Sequence, residues 1–231
     1  MKFLALDTAS ARCSVALFSD AGLLVRSVDT ARDHATLILP LIEELLAEAD
    51  ASLRMLDGIA YGRGPGSFTG VRVAASVTQG LAMGADLPVL GVSDLRALAA
   101  QARPLAVAPP AGSLLLAAMD ARMGEIYWGV FDAVADLPGE ALLGEAVGPV
   151  QDLPESLRGR VAAAAGRGFS AFPSMAPGLG LQPGAVLAEA EPHAADIARL
   201  AAADLRGGKG WQDAATAQPV YLRDQVAHVR R

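Results

Sequence analysis

The sequence predicts an α/β protein, on three observations. Short apolar runs bounded by turn residues alternate with stretches in which apolar residues recur every three or four positions, the two periods of strands and helices. An apolar run that ends in Asp, followed by a polar turn and a second strand, occurs twice, at Asp7 and at Asp120. Between the two, the stretch from Ala102 to Gly112 carries Pro104, Pro109 and Pro110 and reads as a linker. Strand–Asp–turn units are common, so the echo leaves both duplication and coincidence open.

The elements follow in order. Lys2 to Leu6 is a short apolar strand, ended by the turn Asp7-Thr8-Ala9-Ser10-Ala11-Arg12; Cys13 to Ser19 is a second strand, and Leu23 to Val28 a third. From His34 the period lengthens: Leu37, Leu41 and Leu45, flanked by Ile38, Ile42 and Leu46, predict a helix to about Ala49, with either a start or a kink at Pro40. Leu56 to Tyr61 is a strand running into a glycine-rich loop, Phe68 to Met83 a helix, and Val89 to Val92 a strand. In the second half, Leu114 to Met119 and Glu125 to Phe131 read as strands around Asp120-Ala121-Arg122-Met123-Gly124. Val161 to Ala165 is a further strand and His193 to Leu205 a helix, while 132–192 is otherwise unmarked.

At 231 residues there is room for one large domain or two of roughly 100 residues. The 25 acidic and 19 basic side chains give a net charge of −6, and the basic ones are scattered, which argues against gripping a nucleic-acid backbone. Cys13 is the single cysteine, so no disulfide framework exists and a reduced, cytoplasmic setting is expected. The opening run meets Asp7 too early for a secretion signal, and no apolar stretch approaches the ~18 residues of a membrane span. Mean hydropathy is nevertheless +0.34. The 48 alanines account for part of it; the rest predicts an apolar face that meets a partner.

Two loops carry the candidate chemistry. In the first, Asp7, Thr8 and Ser10 supply a carboxylate, two hydroxyls and free backbone N–H groups, a set able to hold a phosphate and its Mg²⁺. The plainer alternative, which spacing alone favours, is a hairpin whose polar residues bond their own turn. The second loop, Tyr61-Gly62-Arg63-Gly64-Pro65-Gly66-Ser67-Phe68-Thr69-Gly70-Val71-Arg72, places glycines ahead of a helix whose positive end faces them. It matches neither a Walker A loop nor a dinucleotide fingerprint. Ser67 or Thr69 can cap the helix, and the glycines imply close approach to an anion, a partner or the adjacent strand.

The two helices of the first half form a third candidate. Leu37, Ile38, Leu39, Leu41, Ile42, Leu45 and Leu46 of the first make a stripe too wide for one sheet contact, and Gly70, Ala74, Thr78 and Ala82 of the second permit close helix approach. The interface residues expected are His34, Leu37, Ile38, Leu41, Ile42, Leu45, Ala74, Thr78 and Ala82. Core packing must claim part of it; the remainder is expected to form a partner interface. His34, His193 and His228 lie at no metal-binding helical spacing, so no metal site is expected. Pro65 stands where a nucleophile elbow needs its first glycine, and Cys13 is expected to be a buried, inert thiol. No catalytic residue is assigned.

Taken in order, Leu4 to Ala9, Ala60 to Arg72, Gly80 to Ala82, Leu90 to Ser93, Asp120 to Tyr127 and Pro219 to Arg223 resemble the TsaB (YeaZ) family of bacterial tRNA-modification proteins. The resemblance runs end to end and is densest over 1–99. It implies a duplicated actin/Hsp70-like (ribonuclease H-like) fold: two mixed five-stranded-sheet domains with flanking helices, over 1–102 and 103–211, with the tail 212–231 completing the first. It makes the echo at Asp7 and Asp120 a true repeat.

The resemblance also implies an accessory subunit with no activity of its own. It would bind and stabilise a catalytic paralogue, TsaD, which makes N6-threonylcarbamoyladenosine at position 37 of ANN-decoding tRNAs. Pairing would use helices 34–49 and 68–83, with an ATPase subunit, TsaE, docking on the pair, a homodimer forming in isolation, and tRNA met only indirectly. ATP, Mg²⁺ and a metal ion are expected in the partner subunits. The paralogue's two histidine ligands correspond here to Asp94 and Leu98, so that centre cannot form. Arg122 and Met123 replace small glycines in the second phosphate turn, where they would fill the cleft or where Arg122 would pair with Asp7 or Asp120. Asp7, Thr8, Ser10, Asp120 and Arg122 thus read as vestigial phosphate loops. The alternatives are a stand-alone ATP-dependent carbamoyl or phosphoryl transferase using Asp7, Thr8, Ser10 and Asp120 and, ranked last, a glycoprotease.

Overall fold

The computed structural model describes residues 1–30 and 32–223; Ala31 and the tail from 224 onward, with His228, lie outside them. The first half runs β1 (Lys2–Asp7), β2 (Arg12–Ser19), β3 (Gly22–Asp29), α1 (His34–Glu48), β4 (Gly58–Gly62), α2 (Phe68–Ala85), β5 (Val89–Val92) and α3 (Asp94–Ala102). Its sheet has the order β3-β2-β1-β4-β5, with β1 antiparallel to β2 and parallel to β4. β4, and β1 from Phe3 to Leu6, are apolar and buried because both faces are covered, the pattern of strands central to a sheet.

The second half repeats this plan with less helix. β6 (Leu114–Arg122), β7 (Glu125–Asp132), β8 (Glu145–Pro149), β9 (Val161–Ala165) and β10 (Val186–Leu187) form a sheet of order β10-β9-β6-β7-β8. From its other edge this is the order of the first sheet, strand for strand. The short α4 (Gly168–Ala171) and α5 (Met175–Gly178), with a 3-10 turn at Pro183–Ala185, stand between β9 and β10, and 3-10 turns replace the helix before β9; α6 (Ala194–Arg206) closes the unit. The echo at Asp7 and Asp120 is therefore a structural repeat, and the fold is the duplicated actin-like one.

α1 and α2 cover one face of the first sheet, burying Ile38, Ile42 and Leu45 against Leu4, Leu6, Val15 and Ile59. α1 begins at His34 and continues through Pro40, which is exposed. The opposite face is covered from the other half of the chain: Ile197, Leu200 and Ala201 of α6 pack on Phe3, Ala5, Ala16 and Leu90. In return, Leu95, Leu98 and Ala102 of α3 pack on Leu115, Ala117 and Phe131 of the second sheet. The halves thus exchange their last helices, so the sequence division at 102/103 separates each helix from the sheet it covers. α3 has no wide apolar stripe in the sequence; its start is fixed by Ser93, whose Oγ accepts from Arg96 N at 3.2 Å.

The tail returns to the first sheet. Val89 and Gln212 exchange backbone hydrogen bonds of 2.8 and 2.9 Å, Ala217 enters the first core, and Val220 N donates to Arg63 O at 2.7 Å.

Candidate functional site

The two strand-ending aspartates make the same turn. Asp7 Oδ1 accepts from Ala9 N and Asp120 Oδ1 from Arg122 N, each at 2.8 Å. They then diverge. Asp7 and Thr8 are fully buried, and Thr8 Oγ1 donates to Gly70 O at 2.7 Å, so neither side chain is free to meet a phosphate. Ser10 points outward, donating to Glu191 Oε2 at 3.0 Å.

The glycine loop lies on this turn. Ser67 N donates to Ala9 O at 2.7 Å, and a Cβ on Gly66 or Gly70 would collide with the carbonyl of Ala9 or Thr8. Of the three approaches open in the sequence, the glycines serve the one to the neighbouring strand turn. Ser67 is the α2 cap, its Oγ accepting from Gly70 N at 3.4 Å, while Thr69 is exposed. Gly64, at φ +99, donates its N–H to Asp94 Oδ2 at 2.5 Å. Gly62 lies against the carboxyls of both Asp94 and Asp7. Burial pushes Asp7 up to about 6 and Asp94 well above the usual carboxylate range, each aided by neighbouring negative charge.

Between the halves lies a cleft of about 700 Å³ whose walls include Ser10, His34, Phe68, Asp120, Arg122 and Glu191. Glu191 bridges it, accepting from Ser10 on one side and from Arg167 Nη1 at 3.1 Å on the other. Arg122 stands at the wall with its backbone left-handed at φ +63, and pairs with Asp120 at 3.0 Å rather than with Asp7. Met123 is exposed. At the rim Arg72 lies over the Phe68 ring, 3.3 Å from its centroid, with the Tyr221 ring 5.1 Å away.

The expected interface residues are redistributed. Ile38, Leu41, Ile42 and Leu45 on α1, and Gly70, Ala74, Thr78 and Ala82 on α2, are buried in their own subunit, and Leu37 is half-buried. The stripe marks the faces that cover the sheet, so its buried side chains are taken up within the subunit. His34 is buried at the cleft wall, its Nε2 2.9 Å from Ser10 O. The outward face carries instead Leu39 and Pro40 of α1 with Ser76, Gly80, Met83 and Gly84 of α2, all exposed. A Cβ on Gly80 or Gly84 would meet nothing within 4 Å.

Cys13 is buried and its thiol is pushed up to about 11 by burial and the Asp7 charge, which makes it unreactive. Where the resemblance places two histidines, Asp94 holds Gly64 N through Oδ2, and Leu98 is a fully buried core residue without a ligand atom. These residues do not fit a metal. Glu191, Arg167 and the Asp94–Gly64 contact had no local signal in the sequence, because each is defined by partners from distant segments.

The sequence model of the family described as TsaD: tRNA N6-adenosine threonylcarbamoyltransferase matches residues 27–198. The tRNA threonylcarbamoyladenosine biosynthesis protein TsaB of Escherichia coli is 38% identical, over 98% of this chain and 96% of its own. The TsaB of Haemophilus influenzae is 47% identical over 55% of this chain and 52% of its own. The structure of YeaZ from Pseudomonas aeruginosa superposes with a TM-score of 0.82 at 37% identity, covering 96% of this chain and 100% of that one. With the duplicated sheets, the turn at Asp7 and the glycine loop all in place, the chain belongs to the TsaB family.

Proposed function

We propose that this chain is a non-catalytic subunit in the biosynthesis of tRNA threonylcarbamoyladenosine, acting by pairing with a catalytic paralogue of the TsaD type. The observation that carries this reading is the near full-length match to a TsaB protein. The site supports the non-catalytic part. Asp7 and Thr8 are fully buried away from the cleft, Arg122 stands in the second turn, and Glu191 bridges the cleft where a triphosphate would lie. The same features disfavour a stand-alone transferase.

The pairing surface is the outward face of α1 and α2. Leu39 and Met83 are 44% and 62% exposed there, beside a shallow track of Ser76, Gly80 and Gly84 at four-residue spacing that lets a partner helix approach closely. Binding of this face would favour the partner's competent conformation, a shift of population. In isolation the same face pairs with a second copy. An ATPase subunit, TsaE, docks on the pair. Nucleotide and metal are held by the partners, and tRNA is met through them, consistent with the net charge of −6.

The test is reconstitution. The purified paralogue should modify adenosine in tRNA far faster with this chain than without it, and Gly80→Leu should abolish both co-purification and the stimulation while the monomer melts normally. Modification or ATP turnover by this chain alone would overturn the reading.

A further inference from the structure

Asp7 and Asp94 are neighbours, and no cation among the described residues touches either. Both are fully buried, and among the described residues neither forms an ion pair. Asp7 Oδ1 takes the Ala9 N–H and Asp94 Oδ2 the Gly64 N–H, while Asp7 Oδ2 and Asp94 Oδ1 are left without a partner. A buried acceptor with no donor is costly, and two ionised carboxylates in contact costlier still. Gly62 is what lets them meet, since a Cβ there would overlap Asp94 Oδ1 and lie 3.0 Å from Asp7 Oδ1.

We propose that Asp7 and Asp94 share one proton, forming a carboxylic acid–carboxylate bond that latches the β1 turn to the glycine loop. The proton sits on Asp94, which donates it to Asp7, so a single hydrogen supplies the missing partner to both oxygens. The charged surroundings favour retention. Glu191 from the segment before α6 and Glu145 of β8 face the pair with negative charge, as does Asp7 toward Asp94. Glu145 is itself paired with Arg63, at 3.3 Å. Arg12 and Cys13 of β2 are the other titratable groups near Asp7, and Arg12 is bound to Asp29. α1 contributes only His34, turned to Ser10 O; the α2 cation, Arg72, faces Phe68 and Tyr221.

The latch bears on more than two residues. Asp94 holds Gly64 by both backbone groups, its own N–H donating to Gly64 O at 3.1 Å. The turn at Asp7 holds the first turn of α2 through Thr8 and Ala9. Loss of the proton to solvent puts two adjacent negative charges in a dry site and drives the cleft floor from the α2 N-terminus. This device is independent of the pairing role.

The native pair binds protons that the unfolded chain releases, so its stabilising contribution is complete below the ordinary carboxylate range and is lost as pH rises. Carboxyl ¹³C NMR of the aspartate-labelled full chain is expected to show one aspartate still protonated above pH 6, with two coupled steps. Asp94→Asn keeps an acceptor for Gly64 N and a permanent donor to Asp7. Above about pH 6 the folding constant of the native sequence, relative to this variant, should therefore fall about tenfold per pH unit for as long as the proton is retained. Asp7→Asn, which supplies the donor from the other side, should flatten the same dependence. Both aspartates titrating in the ordinary range, or a ratio flat with pH, would overturn the proposal. If either variant fails to fold, the NMR titration of the native chain decides.

Discussion

Thr8 and Gly70 are locked together twice. The Thr8 hydroxyl donates to the Gly70 carbonyl at 2.7 Å, and the Thr8 carbonyl occupies the space a Gly70 side chain would need. Alanine normally favours a helix over glycine by nearly 1 kcal/mol. Here Gly70→Ala must instead push the α2 N-terminus off the β1 turn. The expected cost is about 3 kcal/mol, lowering Tm by roughly 6–12 °C in a chain of this size, readable in a thermal melt. A variant as stable as the native chain would show that the loop can lift from the turn freely.

The burial of the α1 stripe separates the fold from the proposed interface. Ile42 is buried in the first core, so Ile42→Ala should cost about 2–5 kcal/mol wherever the chain is studied. Leu39, three residues earlier, is exposed. Leu39→Asp should change stability by no more than about 0.5 kcal/mol yet abolish association with the paralogue in gel filtration. Equal losses of stability in the two variants would sink this division.

How far the sequence carried the fold follows from where each signal lies. β1, β2 and α2 were legible because their patterns are local: period, cap and glycine all fall within a few residues. α3 was not, since nearly its whole circumference is buried between α6 and the second sheet and its apolar residues form no stripe. In the site, the Asp7 and Asp120 turns and the glycine loop were visible as local patterns, but what the loop touches was left open. Which part of the α1 stripe is buried was not legible, because periodicity reveals an apolar stripe and not what covers it. Glu191, which bridges the cleft, is 181 residues from its Ser10 partner, and no local pattern encodes that distance.

Tyr61 ties the tail to the first sheet. Its hydroxyl donates to Gln218 O at 3.2 Å and accepts from Gln218 N at 3.0 Å. Tyr61→Phe keeps the ring in place and removes the partner of both Gln218 backbone groups; Gln218 is exposed, so the cost is about 0.5–1.5 kcal/mol. The loss should be local, seen as faster amide exchange at Gln218 and Val220 before any change at β1. Uniform acceleration through the first sheet would mean that the tail and sheet open as one unit.

The exchanged helices are joined by one nearly buried ion pair, and its pH response opposes that of the Asp7–Asp94 pair. Arg96 of α3 meets Asp204 of α6 with two bonds, at 2.8 and 2.7 Å, and Lys209 adds a third contact at 3.3 Å. Burial raises the Asp204 carboxyl, but the Arg96 bonds outweigh it and hold the group below its ordinary range. A depressed carboxylate stabilises the fold above the unfolded value and loses that contribution as pH falls through the folded one. Asp204→Ala leaves Arg96 buried without its partner and should cost about 3 kcal/mol near neutrality. The gap between native and variant should narrow on acidification toward about pH 3, measured as the difference in urea midpoints. With the clasp failing in acid and the shared proton failing in base, each in its own variant background, stability should peak between the two. A gap that stays constant on acidification would mean that Asp204 acts through packing and not through its charge.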